Sequence, residues 1–582
     1  MLKPKDYIIG GRKNYKTVIE MVENSCKIFA DKVVMQMKEG GVYRKVTYRD
    51  FWDNINKVAK GLRHLFFLPK ERAAIYSENS PEWGMAYLGI SLSGGIIVPI
   101  DAQMKPDEIL FILDHSKSKF IFTSSKLLDN VLEIFKKAKS LKKIICFDDV
   151  EETKDVIKFD ELLKKGEKVK FAFLPKIKPN NILSILYTSG TTGVSKGVML
   201  TQKNVISDVE LSSQMLYFDE NDTFLSVLPL HHSFECTAGF LTPLYKGATI
   251  TYAESLKSSN ILENIKETNV TVMLGVPLLF EKFYNGIKKS ISEKSLPVRI
   301  AFNSMLFTVK LIRKLTGKKI GKQVFKSLRE KAGLESIRFF ISGGGPLRPD
   351  IAEDFDDLGL TILQGYGLTE TSPVVSVSTL EHLNYYSVGL PLPEIEVKID
   401  KPDENGIGEI IVKGDIVMKG YYKNKKETQK VLKNNWLYTG DMGYIDKDGF
   451  LYITGRKKNI IVTAGGKNVY PEEIEEKLNS SDFILESLVY GLATSERDRA
   501  EKIVALIVPD YEKIENHFKS LNINLTDEKL IELIKNEIKN VNDKLPIYKR
   551  ISNFKIHPEE FVKTSTRKIK RYLYISEMLN VR

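Results

Sequence analysis

Ile182-Leu183-Ser184-Ile185-Leu186-Tyr187-Thr188-Ser189-Gly190-Thr191-Thr192-Gly193-Val194-Ser195-Lys196-Gly197 is the stretch on which the reading of this chain turns. Its opening is apolar and β-prone and predicts a strand over Ile182–Tyr187. Small polar residues and glycines follow. Glycine lets the backbone take positive φ and turn its N–H groups inward as an anion-binding nest. Ser189, Thr191 and Thr192 add hydroxyl donors, and Lys196 adds a compact positive charge for phosphate oxygens. A strand leading straight into such a loop suits a polyphosphate. It is not a Walker A loop, because that pattern needs a second glycine five residues beyond the first, where Ser195 stands.

Upstream, strand-like and helix-like segments alternate. Arg72–Asn79, Gly95–Ala102, Lys119–Ser125 and Lys142–Asp149 read as short buried strands. Pro106 and the acidic residues after it open a helix. Strands separated by helices imply βαβ units and parallel sheets. The same style continues from Asn181 to about Gly455. From Arg456 onward a smaller unit is expected, with paired strands at Leu485–Thr494 and Lys502–Asp510 and an amphipathic helix over residues 526–544. The fold class is therefore α/β.

Composition sets outer limits. Of 582 residues, 42% are hydrophobic and 10% aromatic, enough for sizeable cores and too many for a disordered chain. Cys26, Cys146 and Cys236 are far apart, which excludes a disulfide framework or thiolate metal site and fits a reducing cytoplasm. The first fifteen residues hold no apolar core of a secretory leader. The run Met85–Ile100 is interrupted by Ser91, Ser93, Gly94 and Gly95 and reads as a core helix plus strand rather than a membrane span. The net charge of +12 favours anionic partners, but zinc-finger, basic-zipper and RRM patterns are absent, so nucleic acid is set aside.

Further motifs follow the loop in order. Leu228-Pro229-Leu230-His231-His232-Ser233-Phe234-Glu235 spells two imidazoles and a carboxylate, yet no other His or Cys cluster supports a metal set there. Ser342-Gly343-Gly344-Gly345-Pro346-Leu347 follows a strand and permits close approach by a flat ligand. Gln364-Gly365-Tyr366-Gly367-Leu368-Thr369-Glu370-Thr371 follows another strand ending near Leu363, and its isolated Glu370 is a natural Mg²⁺ ligand beside a phosphate site. Tyr438-Thr439-Gly440-Asp441 ends a segment beginning at Trp436, and a carboxylate suits a ribose diol. Near the end stands Lys563-Thr564-Ser565-Thr566-Arg567-Lys568-Ile569.

With these motifs in this order, nearly the whole chain resembles the adenylate-forming superfamily of acyl-CoA synthetases, luciferases and peptide-synthetase adenylation domains. Within it, the chain looks closest to long-chain fatty acid–CoA ligases, through the Phe234-Glu235 ending and the segment VPLLFEKFYNGI. The resemblance implies a large N-terminal domain, residues 1–455, and a small mobile α+β C-terminal domain, residues 456–582, hinged near Lys458. It implies ATP-dependent activation of a fatty acid to acyl-AMP with pyrophosphate release, then transfer to coenzyme A. Lys568, His232, Thr188 and Glu370 form the implied catalytic set, with Glu370 on Mg²⁺. Ser189, Gly190, Thr191, Thr192, Gly193 and Lys196 cradle phosphates. Gly343, Gly344, Gln364, Gly365, Tyr366 and Gly367 line the adenine site, and Thr369 lies at the α-phosphate. Asp441 and Arg456 take the ribose, and Gly466 lies against pantetheine. Arg567 stands where the family carries glycine.

The acid is less legible. Between Lys282 and Lys331 fourteen basic residues face only Glu293 and Glu330, with apolar residues interleaved. Such a segment could rest on an anionic membrane, at about 1 kcal/mol for each basic residue near the surface. The placement expected is cytoplasmic, peripheral on the inner membrane face. Two alternatives stay open: transfer to an acyl carrier protein, or a non-catalytic nucleotide or acyl sensor.

Overall fold

The computed structural model describes residues 2–170, 174–188, 195–463, 467–493, 501–563, 569–574 and 577. The chain forms two compact units. The larger comprises Met1–Val397, Val412–Leu437 and Lys447–Leu451; the smaller comprises Lys398–Ile411, Tyr438–Asp446 and Tyr452–Arg582.

Two sheets build the larger unit. One has eight strands in the order Gly420–Tyr421, Lys196–Thr201, Ile182–Thr188, Ile96–Ile100, Arg72–Tyr76, Ser118–Thr123, Lys143–Cys146 and Val156–Lys158. Its strands from Ile96–Ile100 outward to Val156–Lys158 pair in parallel, as the alternation of strand and helix predicts. The other has nine strands and runs from Leu390–Pro391 through Ile362–Gly367, Phe339–Ser342 and Thr223–Ser226 to the edge pair Val33–Glu39 and Val42–Thr47.

The helix Pro81–Leu92 shows how sequence sets this layering. Ser80 caps it by accepting from Trp83 N, and Pro81 occupies the first turn, where its missing N–H costs nothing. Almost every residue is buried, so it has no polar face to show water. Its Trp83 and Tyr87 share one core with Met35 and Tyr252 of the nine-stranded sheet and Ile75 and Phe122 of the eight-stranded sheet. The three cysteines are free and buried.

In the smaller unit, Ile484–Ala493 pairs antiparallel with Glu501–Pro509, which pairs in parallel with Asn553–Ile556. The helices Pro471–Leu478 and Asp527–Asp543 supply Ile474, Leu478, Ile534 and Ile538 to its core. No helix among the described residues is long and apolar enough to cross a membrane.

Candidate active site

Thr188 and Lys196 face each other across an antiparallel ladder, the last residue of one strand opposite the first of the next. The strands on either side of the glycine-rich segment, Ile182–Thr188 and Lys196–Thr201, thus pair with each other, a second difference from the strand-to-helix Walker A arrangement. Ser189, Gly190, Thr191, Thr192 and Gly193 lie outside the described residues, as do Gly466 and Lys568.

Lys196 Nζ is 2.6 Å from Glu427 Oε2 and lies over the Tyr421 ring, 5.4 Å from its centre. Lys196 and Lys430 together pull the Glu427 carboxyl down to about 2. Tyr421 donates its hydroxyl to Glu370 Oε1 at 2.8 Å, and Met418 N donates to the Glu370 carbonyl at 2.8 Å. One tyrosine therefore joins the loop lysine to the isolated glutamate. Glu370 has a second carboxylate oxygen, and the Thr369 hydroxyl is its neighbour. Such oxygen-only donors fit Mg²⁺. Neither Tyr421 nor Glu427 stood among the expected site residues. Their only sequence signal is Gly420-Tyr421-Tyr422, a glycine before two aromatics.

The histidine motif is held differently. Asn79 grips it at three points: Nδ2 donates to Ser226 Oγ and the Leu228 carbonyl, and Oδ1 accepts from Leu230 N. His231 and His232 lie with ring centres 4.1 Å apart. His231 is buried, which drives its pKa far down, and the neighbouring His232 adds to the effect. Glu235 does not join the histidines. It turns into the core, where Ser226 Oγ donates to it at 2.5 Å and Gly239 leaves room that any Cβ would fill. Burial raises its carboxyl to about 8. Asp101 takes the place that spacing gave to Glu235: its carboxylate and the two imidazoles bring ligand atoms within 4.8 Å of one another.

Two elements differ from the sequence reading. The strand expected to end near Leu363 runs on as Ile362–Gly367, so Gln364, Gly365, Tyr366 and Gly367 belong to the sheet. Gly367 is required there by close packing, since a Cβ would lie 1.9 Å from the Pro373 carbonyl. Gln364 donates to the Tyr385 carbonyl at 2.7 Å. Thr369 and Glu370 then occupy a short 3₁₀ turn, Thr369–Thr371, which Ser233 Oγ reaches at 3.4 Å from Thr369 Oγ1. Gly344 does take positive φ, at 83°, while Gly343 is needed because Phe234 packs against it, 2.9 Å from where a Cβ would sit. The histidine motif, the Gly343 turn and the Thr369 turn are thereby brought together.

In the smaller unit, Asp441 lies within a strand, Trp436–Ile445, that continues past it. Arg456 Nε meets Asp441 Oδ1 at 2.7 Å, and Gly440 takes a φ of 72° beside them. Lys458 sits in the 3₁₀ turn Lys457–Asn459 with a lowered pKa, from burial first and then from repulsion by Arg456 and Arg571. Lys563 and Ile569 form an isolated antiparallel bridge, and Lys563 pairs with Glu486.

Residues 22–422 match the family model for AMP-binding enzymes, and residues 458–577 match the model for the AMP-binding enzyme C-terminal domain. The chain belongs to the AMP-binding enzyme family. Relatives of this AMP-binding enzyme include fatty acyl-CoA synthetase B of Dictyostelium discoideum, 29% identical over 90% of this chain and 80% of that protein. The long-chain-fatty-acid–CoA ligase FadD15 of Mycobacterium bovis is 29% identical over 98% and 96%. The fold also matches the crystal structure of an anthranilate CoA ligase in complex with anthranoyl-AMP, with a TM-score of 0.77, 21% identity and coverage of 99% of both chains.

Proposed function

We propose that this AMP-binding enzyme activates a long-chain fatty acid with ATP to the acyl adenylate, releasing pyrophosphate, and then transfers the acyl group to coenzyme A, releasing AMP. The observation that carries the reading is the Lys196–Tyr421–Glu370 cluster at the mouth of the glycine-rich hairpin. The relatives' names, fatty acyl-CoA synthetase and long-chain-fatty-acid–CoA ligase, point the same way.

A carboxylate attacking an α-phosphate brings anion to anion, so fixed positive charge supplies much of the rate. Lys196 leaves Glu427 for the outgoing phosphates, steadied by the Tyr421 ring. Glu370 and phosphate oxygens would hold Mg²⁺, whose charge lowers the repulsion. Tyr421 fixes which way the Glu370 carboxylate points. Thr188 and Thr369 donate to phosphate oxygens, with the loop residues Ser189, Thr191 and Thr192. His232 lies at the acyl carboxylate, held by the Asn79 grip on its loop, and Tyr366 stacks on adenine beside Gly343 and Gly344. Asp441 and Arg456 take the ribose hydroxyls. Lys568 bridges the carboxylate and the α-phosphate during adenylation. A turn at Lys458 then withdraws Lys568 and admits the thiol along Gly466.

The experiment is AMP release with CoA across acids from acetate to oleate. Release that rises with chain length and requires CoA supports the reading. Release with acyl carrier protein in place of CoA moves the acceptor. No acid-dependent pyrophosphate release at all returns the chain to a nucleotide or acyl sensor.

A further inference from the structure

The helix Leu296–Thr316 is apolar on two opposite faces. Its inner face carries Phe302, Leu306 and Val309, which pack with Ile287, Phe325 and Leu358. Arg313 is on the same side and pairs with Asp357 at 2.7 Å. Its outer face carries Leu296, Ile300, Phe307, Leu311 and Leu315, spaced four, seven, four and four residues apart, and these are 44–74% exposed. At 3.6 residues per turn they form one stripe on the side away from Val309. Large apolar side chains arrayed this way are a surface with a partner, not scattered exceptions.

Charge identifies the partner. Four of the fourteen cations are engaged by the fold: Lys310, Arg313 and Lys319 pair with Asp354, Asp357 and Asp356, and the buried Arg329 donates to the Gly359 carbonyl. Lys294, Arg299, Lys314 and Lys318 stay exposed at the two ends of the stripe and make no ion pair among the described residues. A second copy of this face would bring those cations against their own kind. An anionic surface with an apolar layer beneath it satisfies both features. The helix is about 30 Å long, and it suits lying in an interface with its outer side chains down.

We infer that the outer face of the Leu296–Thr316 helix docks this enzyme on an anionic lipid bilayer, with Phe307 and its stripe in the headgroup–acyl boundary and Arg299, Lys314 and Lys318 on acidic headgroups. This deepens the substrate reading, because long-chain acids partition into bilayers, but docking itself needs no nucleotide, acid or thiol.

The test is co-sedimentation of the full chain with phosphatidylcholine vesicles, with and without phosphatidylglycerol, in the absence of every substrate. Phosphatidylglycerol should tighten binding by about tenfold or more, and added salt should reverse it. Ile300→Asp/Phe307→Asp should weaken it by about tenfold or more while melting as the wild type does. Arg299→Glu/Lys314→Glu/Lys318→Glu, confined to exposed side chains, should remove the lipid-charge dependence if the first variant folds poorly. Binding blind to phosphatidylglycerol, or unchanged in both variants, overturns the inference. So does a vesicle-free dimer that the apolar variant dissociates, which would make a second copy the partner. Lost docking with intact AMP release sinks this surface alone, and intact docking without AMP release sinks only the reaction.

Discussion

Around Lys196 the larger unit keeps its charges, and around His231 it removes them. Lys196, Glu427 and Lys430 are partly solvated and ion-paired, and the two lysines hold the Glu427 carboxyl down to about 2. Behind the histidine motif, burial does the opposite: it lowers His231 and raises Glu235 to about 8, leaving both neutral near pH 7. The lesson is that solvent decides which charges persist. On the proposed function, a polyphosphate would meet cations that are present yet free to leave a weak surface partner. Behind the histidine motif an unpaired charge would have to be desolvated with nothing to offset it, so the buried groups are kept neutral.

The largest break in that comparison is expected from Lys568→Ala. Adenylation should fall by about a thousand-fold, while thioester formation from pre-made acyl-AMP stays near wild type. Separate assays of the two half-reactions decide it, and equal loss in both would remove the lysine's special place. Lys196→Ala and Glu370→Ala should each lower acid-dependent pyrophosphate exchange by about a hundred-fold. Tyr421→Phe, which keeps the ring under Lys196 but frees Glu370, should cost less, about tenfold.

On the neutral side, stability reports the buried carboxyl. Unfolded, Glu235 ionises near its ordinary value; folded, it keeps its proton up to about 8. Between those values the folded state binds one more proton, so stability falls as pH rises, and the loss is complete above the folded value. Thermal melts of wild type and Glu235→Gln over that window should differ in slope by up to about 1.4 kcal/mol per pH unit. Parallel curves would mean that Glu235 is ionised in the core after all. The smallest effect is Glu427→Gln. Freeing Lys196 from its surface partner should lower the KM for ATP about threefold in dilute buffer, with the difference fading at high salt.

How much of this was legible depends on whether a residue's partner is near it in sequence. The strand before the glycine-rich loop and the parallel strands upstream of it lie in short apolar runs bounded by turn residues, which mark them directly. Tyr421 reaches Glu370 across 51 positions and Glu427 reaches Lys196 across 231, and no local pattern encodes such a meeting. Gly367 misled because glycine in a loop-like run reads as a turn, while here the Pro373 carbonyl demands it inside a strand. Spacing alone sets Glu235 beside the histidines, yet the π-helix Glu235–Leu241 begins at that residue, whose side chain is buried in the core. The sequence shows fourteen cations in the basic segment, but only the structure separates Lys310, Arg313, Lys319 and the buried Arg329, which the fold engages, from those left at the surface.

Exchange of labelled pyrophosphate into ATP, with oleate and Mg²⁺ but without CoA, reads the adenylation step by itself. The account predicts exchange that requires the acid, needs no thiol and collapses in Lys196→Ala. Exchange that proceeds without acid, or that Lys196→Ala leaves intact, would contradict it.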